Sequence, residues 1–189
     1  MSERARGCPL RTRPADAPCA ALRARPVPAA SLFAALALAI AGSAPAALPA
    51  SGVLVPGRTL GGLAIGATRP QVRAVWGTDF GRCRGCRDET WYYTYHRFAP
   101  QGAAVTFEGG RVVALFTIWS PHGWRTSRGL QVGDAAARVT ELYGALPRVA
   151  CGAYTAVVQT RPATTTAFYL VGDKVWGFGL SRAGAPVCR

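Results

Sequence analysis

Charge is scarce and one-sided in this 189-residue chain: 16% of residues are charged, 9 of them acids against 22 bases. The seven acids beyond residue 50 show no obvious pair for general acid–base work. Histidine is limited to His96 and His122, the only side chains that titrate near neutral pH without help. No G-x-S-x-G elbow and no phosphate-binding glycine loop occurs. These absences assign the chain no catalytic residue, no metal and no cofactor. The length excludes a large multidomain enzyme, and a composition that is 50% apolar excludes disorder or a coiled coil as the main state.

No apolar run is long enough to span a bilayer, which takes about 20 residues. The run Ala29 to Ala41 covers 13, interrupted only by Ser31, and six arginines precede it. Ala44-Pro45-Ala46 then has the A-x-A pattern of a signal-peptidase site. Residues 1–50 are read as a basic leader and secretory signal, with the mature chain starting between Ala47 and Ser51 and retaining no membrane span. The competing reading is a retained anchor; no Cys follows the run, so lipidation is not supported.

Beyond residue 50 there remain sixteen basic and seven acidic residues, a net charge of +9, and Lys174 is the only lysine. The arginines are scattered apart from Arg82, Arg84 and Arg87, which argues for a solvated basic surface rather than a nucleic-acid footprint. Polyanion or cell-envelope binding stays as an alternative. Four cysteines, Cys83, Cys86, Cys151 and Cys188, remain, an even number suited to disulfides in an oxidising compartment. Three connectivities are possible; one bridge inside each half, Cys83–Cys86 and Cys151–Cys188, is the expected one.

The halves are defined by an internal repeat. Residues 58–66 (RTLGGLAIG) align with 125–133 (RTSRGLQVG) at an offset of 67, with five of nine positions identical. Val72, Val75, Trp76 and Gly77 meet Val139, Leu142, Tyr143 and Gly144 at the same offset. After a four-residue contraction, Phe107 to Val112 meets Leu170 to Val175. The reading is a tandem duplication: unit 1 over 51–119, a joint over 120–124, and unit 2 over 125–189.

In each copy a short helix is expected, capped by Thr68 or Asp134, showing an apolar face of Val72, Val75 and Trp76 or Val139, Leu142 and Tyr143, and stopped by Gly77 or Gly144. Such helices are marginal alone and must pack on a sheet. Strands are expected over Thr90 to Phe98, Ala103 to Phe107 and Arg111 to Trp119, then Tyr154 to Thr160, Thr164 to Val171 and Lys174 to Ser181. Gly109-Gly110 and Gly172-Asp173 supply the hairpin turns. The fold class is α+β, each unit being one short helix on a small antiparallel sheet.

The pattern Leu63-x-Ile65-Gly66-x-Thr68-Arg69-x-Gln71-Val72, closing at Gly77, resembles the opening of each repeat in the β-lactamase inhibitory protein superfamily. It is also similar to the single unit of the small outer-membrane lipoproteins that assist barrel assembly. Trp91-x-Tyr93 and Phe107 to Val112 fit the sheet half of that unit. The resemblance spans roughly residues 58–182 and implies two units in tandem with a concave sheet surface that binds another protein. The cysteine spacing differs from the inhibitor's, which keeps a bridge near the helix end of each repeat.

Cys83-Arg84-Gly85-Cys86 has the spacing of a thiol-redox pair, and neighbouring arginines favour a thiolate. The pair follows a helix and leads into a strand, however, which suits a loop staple better than a thioredoxin-like turn. Zinc would need a second C-x-x-C or paired histidines. A protein-binding surface is the leading expectation, with a secreted or envelope protein as partner and the chain itself a monomer. Alternation along the strand from Trp91 puts Trp91 and Tyr93 in the core and Tyr92 and His96 outside, with Val157 and Gln159 opposite the outer row. Tyr92 and His96, with Trp119, His122, Trp124 and Arg125 around the joint, are the candidate contacts. The competing role for Trp119 and Trp124 is to hold the two units together.

Overall fold

A computed structural model of the full chain describes residues 48, 51–94, 102–119 and 122–189. The leader, its apolar run and His96 lie outside the described residues. The described residues fall in one compact unit, Gly42–Arg189. Among them, no helix is long and apolar enough to cross a membrane.

The first half supplies β1 (Ser51–Val55), β2 (Thr59–Leu60), β3 (Leu63–Ala64), α1 (Arg69–Trp76), β4 (Gly81–Arg82), β5 (Glu89–Thr94), β6 (Gly102–Glu108) and β7 (Arg111–Ile118). The second supplies β8 (Gly123–Thr126), α2 (Ala137–Tyr143), β9 (Arg148–Ala150), β10 (Thr155–Thr160), β11 (Thr164–Val171) and β12 (Lys174–Arg182). The class is α+β, with sheet predominating. The two halves do not keep separate sheets. They merge into one eight-stranded antiparallel sheet, β4-β5-β6-β7-β12-β11-β10-β9, joined at β7 and β12. Left apart, β7 and β12 would each expose an edge of unpaired backbone groups; pairing them removes both edges at once. A second, four-stranded sheet, β3-β2-β1-β8, was not foreseen. Its strands of two to five residues are too short to show an alternation, and its parallel β1–β8 pairing brings together Ser51 and Gly123, far apart in sequence.

The aligned segments carry matching backbone bonds. The Gly66 amide donates to the Val112 carbonyl (2.8 Å), and the Gly133 amide to that of Val175 (2.7 Å). The Val112 amide donates to Ala67, and the Val175 amide to Asp134, both at 2.8 Å. Each hairpin has an irregularity at the corresponding place, Thr106/Phe107 and Tyr169/Leu170. Both helices end at a glycine with positive φ, Gly77 at 86° and Gly144 at 78°.

The helix starts differ. Thr68 precedes α1 as expected, and Gln71 Oε1 accepts from its amide (2.8 Å) and its hydroxyl (3.1 Å). Asp134 does not cap α2: its carboxylate accepts from the Gln131 amide at 2.9 Å, pinning the preceding turn, and the helix begins after Ala136. The expected α1 face also needs correction. Val72 and Trp76 are buried, but Val75 is 38% exposed, at a surface concavity it shares with Leu63, Ala67 and Gln71.

Between the helices, the small sheet and the inner face of the large sheet lies the main core, containing Leu54, Leu60, Val72, Trp76, Trp91, Tyr93, Trp124, Val139, Val157, Phe168 and Phe178, with half-buried Leu48 packed against it. Phe80 stacks on Trp91 at 4.0 Å, and Trp76 meets Tyr93 and Trp124 edge-on at 5.4 and 5.6 Å. Trp91 and Tyr93 are thus inside, as the alternation predicts. Val157 shares their side rather than the outer row: Tyr92 pairs with Ala104 and Val158 with Ala167, so Val158 is the counterpart of Tyr92, at an offset of 66.

Candidate binding surface

The outer face of the large sheet has its own apolar cluster of Ala104, Phe116, Ala156, Val158, Ala167 and Tyr169. Tyr92, Ile118, Tyr154 and Trp176 are half-buried around it. Across its β9–β11 side runs the segment 183–189, a strap that the sequence did not suggest. The Tyr169 hydroxyl donates to the Val187 carbonyl (3.0 Å), and the Tyr154 hydroxyl donates to that of Arg189 (2.7 Å). The Cys151–Cys188 disulfide fastens the end of the strap to the loop after β9. Arg189 places its guanidinium 5.4 Å from the Phe116 ring centre.

Glycines in β12 make room for this arrangement. A Cβ on Gly179 would lie 2.3 Å from the Tyr169 hydroxyl oxygen, so Tyr169 crosses the strand where no side chain stands. A Cβ on Gly177 would lie 2.0 Å from the Thr117 carbonyl oxygen, at the seam between the halves. Burial pushes the Tyr169 phenol up to about 12, with Arg189 opposing, and Tyr93 likewise to about 12, with Arg73 opposing.

Of the candidate contacts, Tyr92 lies on this face, half-buried and edge-on to Phe116 at 6.3 Å. Its hydroxyl is 3.9 Å from Cys86 Sγ, and burial raises its pKa. Trp119 is 45% exposed at the end of β7, and its ring meets that of the exposed His122 at 5.9 Å. Its backbone has φ 60°, the left-handed region that a bulky L-residue avoids, and is held there by a 2.7 Å bond from its amide to the Trp176 carbonyl.

Trp124 and Arg125 are not part of this surface. Trp124 is fully buried in the slot left by Gly52 and Gly61, whose added Cβ atoms would come within 2.7 and 2.5 Å of its indole. It therefore joins the halves, the role weighed against contact in the sequence. Arg125 is exposed, but on β8 of the other sheet. The Cys83–Cys86 disulfide closes the loop between β4 and β5, away from either helix start, and both expected bridges are formed.

Sequence reasoning missed Tyr154, Tyr169, Trp176 and the strap. The alternation Trp176-Gly177-Phe178-Gly179 was the available signal, since glycine repeated within a strand marks a close approach on one face.

No protein-family model matches the chain, and no curated protein matches it. Two solved structures are similar in part. An extracellular protein containing an SCP domain from Bacillus anthracis str. Ames aligns with a TM-score of 0.43 and 11% identity, over 63% of this chain and 44% of that one. A DUF4309 family protein, YjgB, from Bacillus subtilis subsp. subtilis str. 168 aligns with a TM-score of 0.41 and 10% identity, over 65% of this chain and 84% of that one. The chain thus spans less than half the length of the first. Likenesses this low carry no functional argument.

Proposed function

We propose that the protein is a secreted, non-catalytic binding module that engages another protein, in the manner of a stoichiometric inhibitor, through the uncovered part of the large sheet's outer face. The observation that carries this reading is Trp119: a large aromatic, 45% exposed, kept in a conformation costing about 1–3 kcal/mol. Beside it lie His122, Ile118 and Trp176, and half-buried Tyr92 belongs to the same face, an apolar and aromatic set of the kind that carries interface energy. The margin of the face is charged, with Arg87 and Arg189 beside Asp88 and the Arg182–Glu108 ion pair, as the polar rim of an interface is. Secretion is supported by the leader pattern and by two disulfides. The two halves are read as duplicated copies of one unit, supported by matching backbone bonds between the aligned segments. The same reading supports the resemblance to the inhibitory-protein superfamily.

The test is affinity capture from culture supernatant and envelope fractions with the full chain, eluted by rising salt. Three baits are compared: the unaltered protein, Trp119→Ala, and Arg125→Ala as a control on the other sheet. A single protein retained at high salt by the first and third baits but lost with Trp119→Ala is the expected outcome. Equal retention by all three, or only polyanionic material released at low salt, would overturn it.

A further inference from the structure

On the opposite side of the large sheet, beside α2, a cavity of about 250 Å³ is lined by Arg58, Arg128 and Arg161 together with Ser127, Tyr143 and Gln159. No acidic side chain lines it, and none of the three arginines forms an ion pair among the described residues. The arginines come from three separate turns: after β1, after β8 and after β10.

Two of these arginines are held in place. Arg128 sits 5.1 Å from the Tyr143 ring centre and donates to the Leu142 carbonyl, which leaves its other N–H groups available. Arg161 lies against Gly57, where an added Cβ would come within 2.5 Å of its Cδ. That glycine turn is itself pinned to β11, since the Gly57 amide donates to the Thr166 hydroxyl (2.8 Å) and its carbonyl accepts from Thr164 (3.1 Å).

Two polar atoms lie just behind the cavity wall. The Tyr143 hydroxyl and the Gln159 Oε1 are shielded from solvent with no hydrogen-bond partner of acceptable geometry. The nearby Thr126 hydroxyl already accepts from the amides of Arg128 (3.3 Å) and Leu130 (3.1 Å). Three arginines without a carboxylate partner among the described residues, converging from separate turns on one concavity, form a site that an anionic ligand would complete.

We propose that this cavity binds a tetrahedral oxyanion, a phosphoryl or sulfuryl group, gripped by Arg58, Arg128 and Arg161, with the Ser127 hydroxyl as a further donor. The volume is below the roughly 300–1,000 Å³ of drug-sized pockets, which matches a small ion or one ester group of a larger chain.

The test is calorimetric titration of the full chain at low ionic strength with sodium phosphate, sodium sulfate and, separately, heparin. Saturable binding is expected, weakened at least about tenfold in Arg161→Gln and in Arg58→Gln, and unchanged in Arg84→Gln, which removes the same charge from the distant Cys83–Cys86 loop. Melting without anion shows whether each variant folds; Arg58→Gln serves if loss of the Arg161 packing unfolds the first. Binding of the inorganic ions identifies a free oxyanion as ligand. Binding of heparin alone, with the same dependence on Arg161, identifies an ester group on a polymer. No saturable binding of any probe, or equal weakening in Arg84→Gln and Arg161→Gln, overturns the proposal.

Discussion

The two disulfides close loops of very different length, and the stability lost on removing each should differ accordingly. Cys83 and Cys86 are separated by 3 in sequence, Cys151 and Cys188 by 37. Chain-entropy arithmetic for loops of those sizes gives about 2 kcal/mol for the first and about 4 kcal/mol for the second. Against a total stability of about 5–15 kcal/mol, that contrast is readily measured. The longer bridge also ends in the strap, so the Cys151→Ser/Cys188→Ser variant should release the cover over Ala156, Val158, Ala167 and Tyr169. Urea denaturation of the two paired Cys→Ser variants would read the stability difference, and binding of a hydrophobic dye below the transition would read the exposed face. The expected result is a loss larger by about 2 kcal/mol for the Cys151/Cys188 variant, with dye binding confined to it. Equal losses, or a larger one for the Cys83/Cys86 variant, would refute the reasoning. So would a strap variant that binds no dye, because the hydrogen bonds of Tyr154 and Tyr169 would then hold the segment unaided.

Two further outcomes follow from close approach and from charge. Gly177→Ala should cost more than about 3 kcal/mol, since its new Cβ meets backbone at the seam, whereas Gly179→Ala should cost about 1–3 kcal/mol by swinging the Tyr169 hydroxyl off Val187; denaturant midpoints check the order. Glu89, paired with Arg69 and accepting from the Trp91 indole at 2.9 Å, has its pKa lowered chiefly by the Arg69 hydrogen bond, against desolvation. Its contribution is present above the unfolded carboxylate pKa and is lost as pH falls through the lower folded one, so Glu89→Gln should destabilise more at pH 7 than at pH 2. A loss of equal size at both pH values would contradict that assignment.

Much of the fold was legible because its determinants are local. The hairpins at Gly109-Gly110 and Gly172-Asp173, both helices and the strands around them follow from turn chemistry and periodicity within a few residues. The repeat then tied the halves to one plan. Residues whose position depends on distant packing are less legible: Val157 lies on the inner side because the offset between the halves changes along the chain, and Val75 is exposed although it falls at helical spacing from the buried Val72. Of the candidate surface, Tyr92, Trp119 and His122 were found from residue type and alternation, whereas Trp124 could not be told from them. An exposed and a buried tryptophan look alike in a joint, and only the slot formed by Gly52 and Gly61 separates them.

By itself the sequence determined the α+β class and the two short helices, since each rests on spacing along the chain. Tertiary structure alone decided that the halves share one sheet, that a strap covers part of its outer face, and that three distant arginines surround one cavity. Those arrangements depend on which strand edges pair and which surfaces meet across 60 residues of sequence, as for Gly177 and Thr117, and no local pattern encodes such meetings.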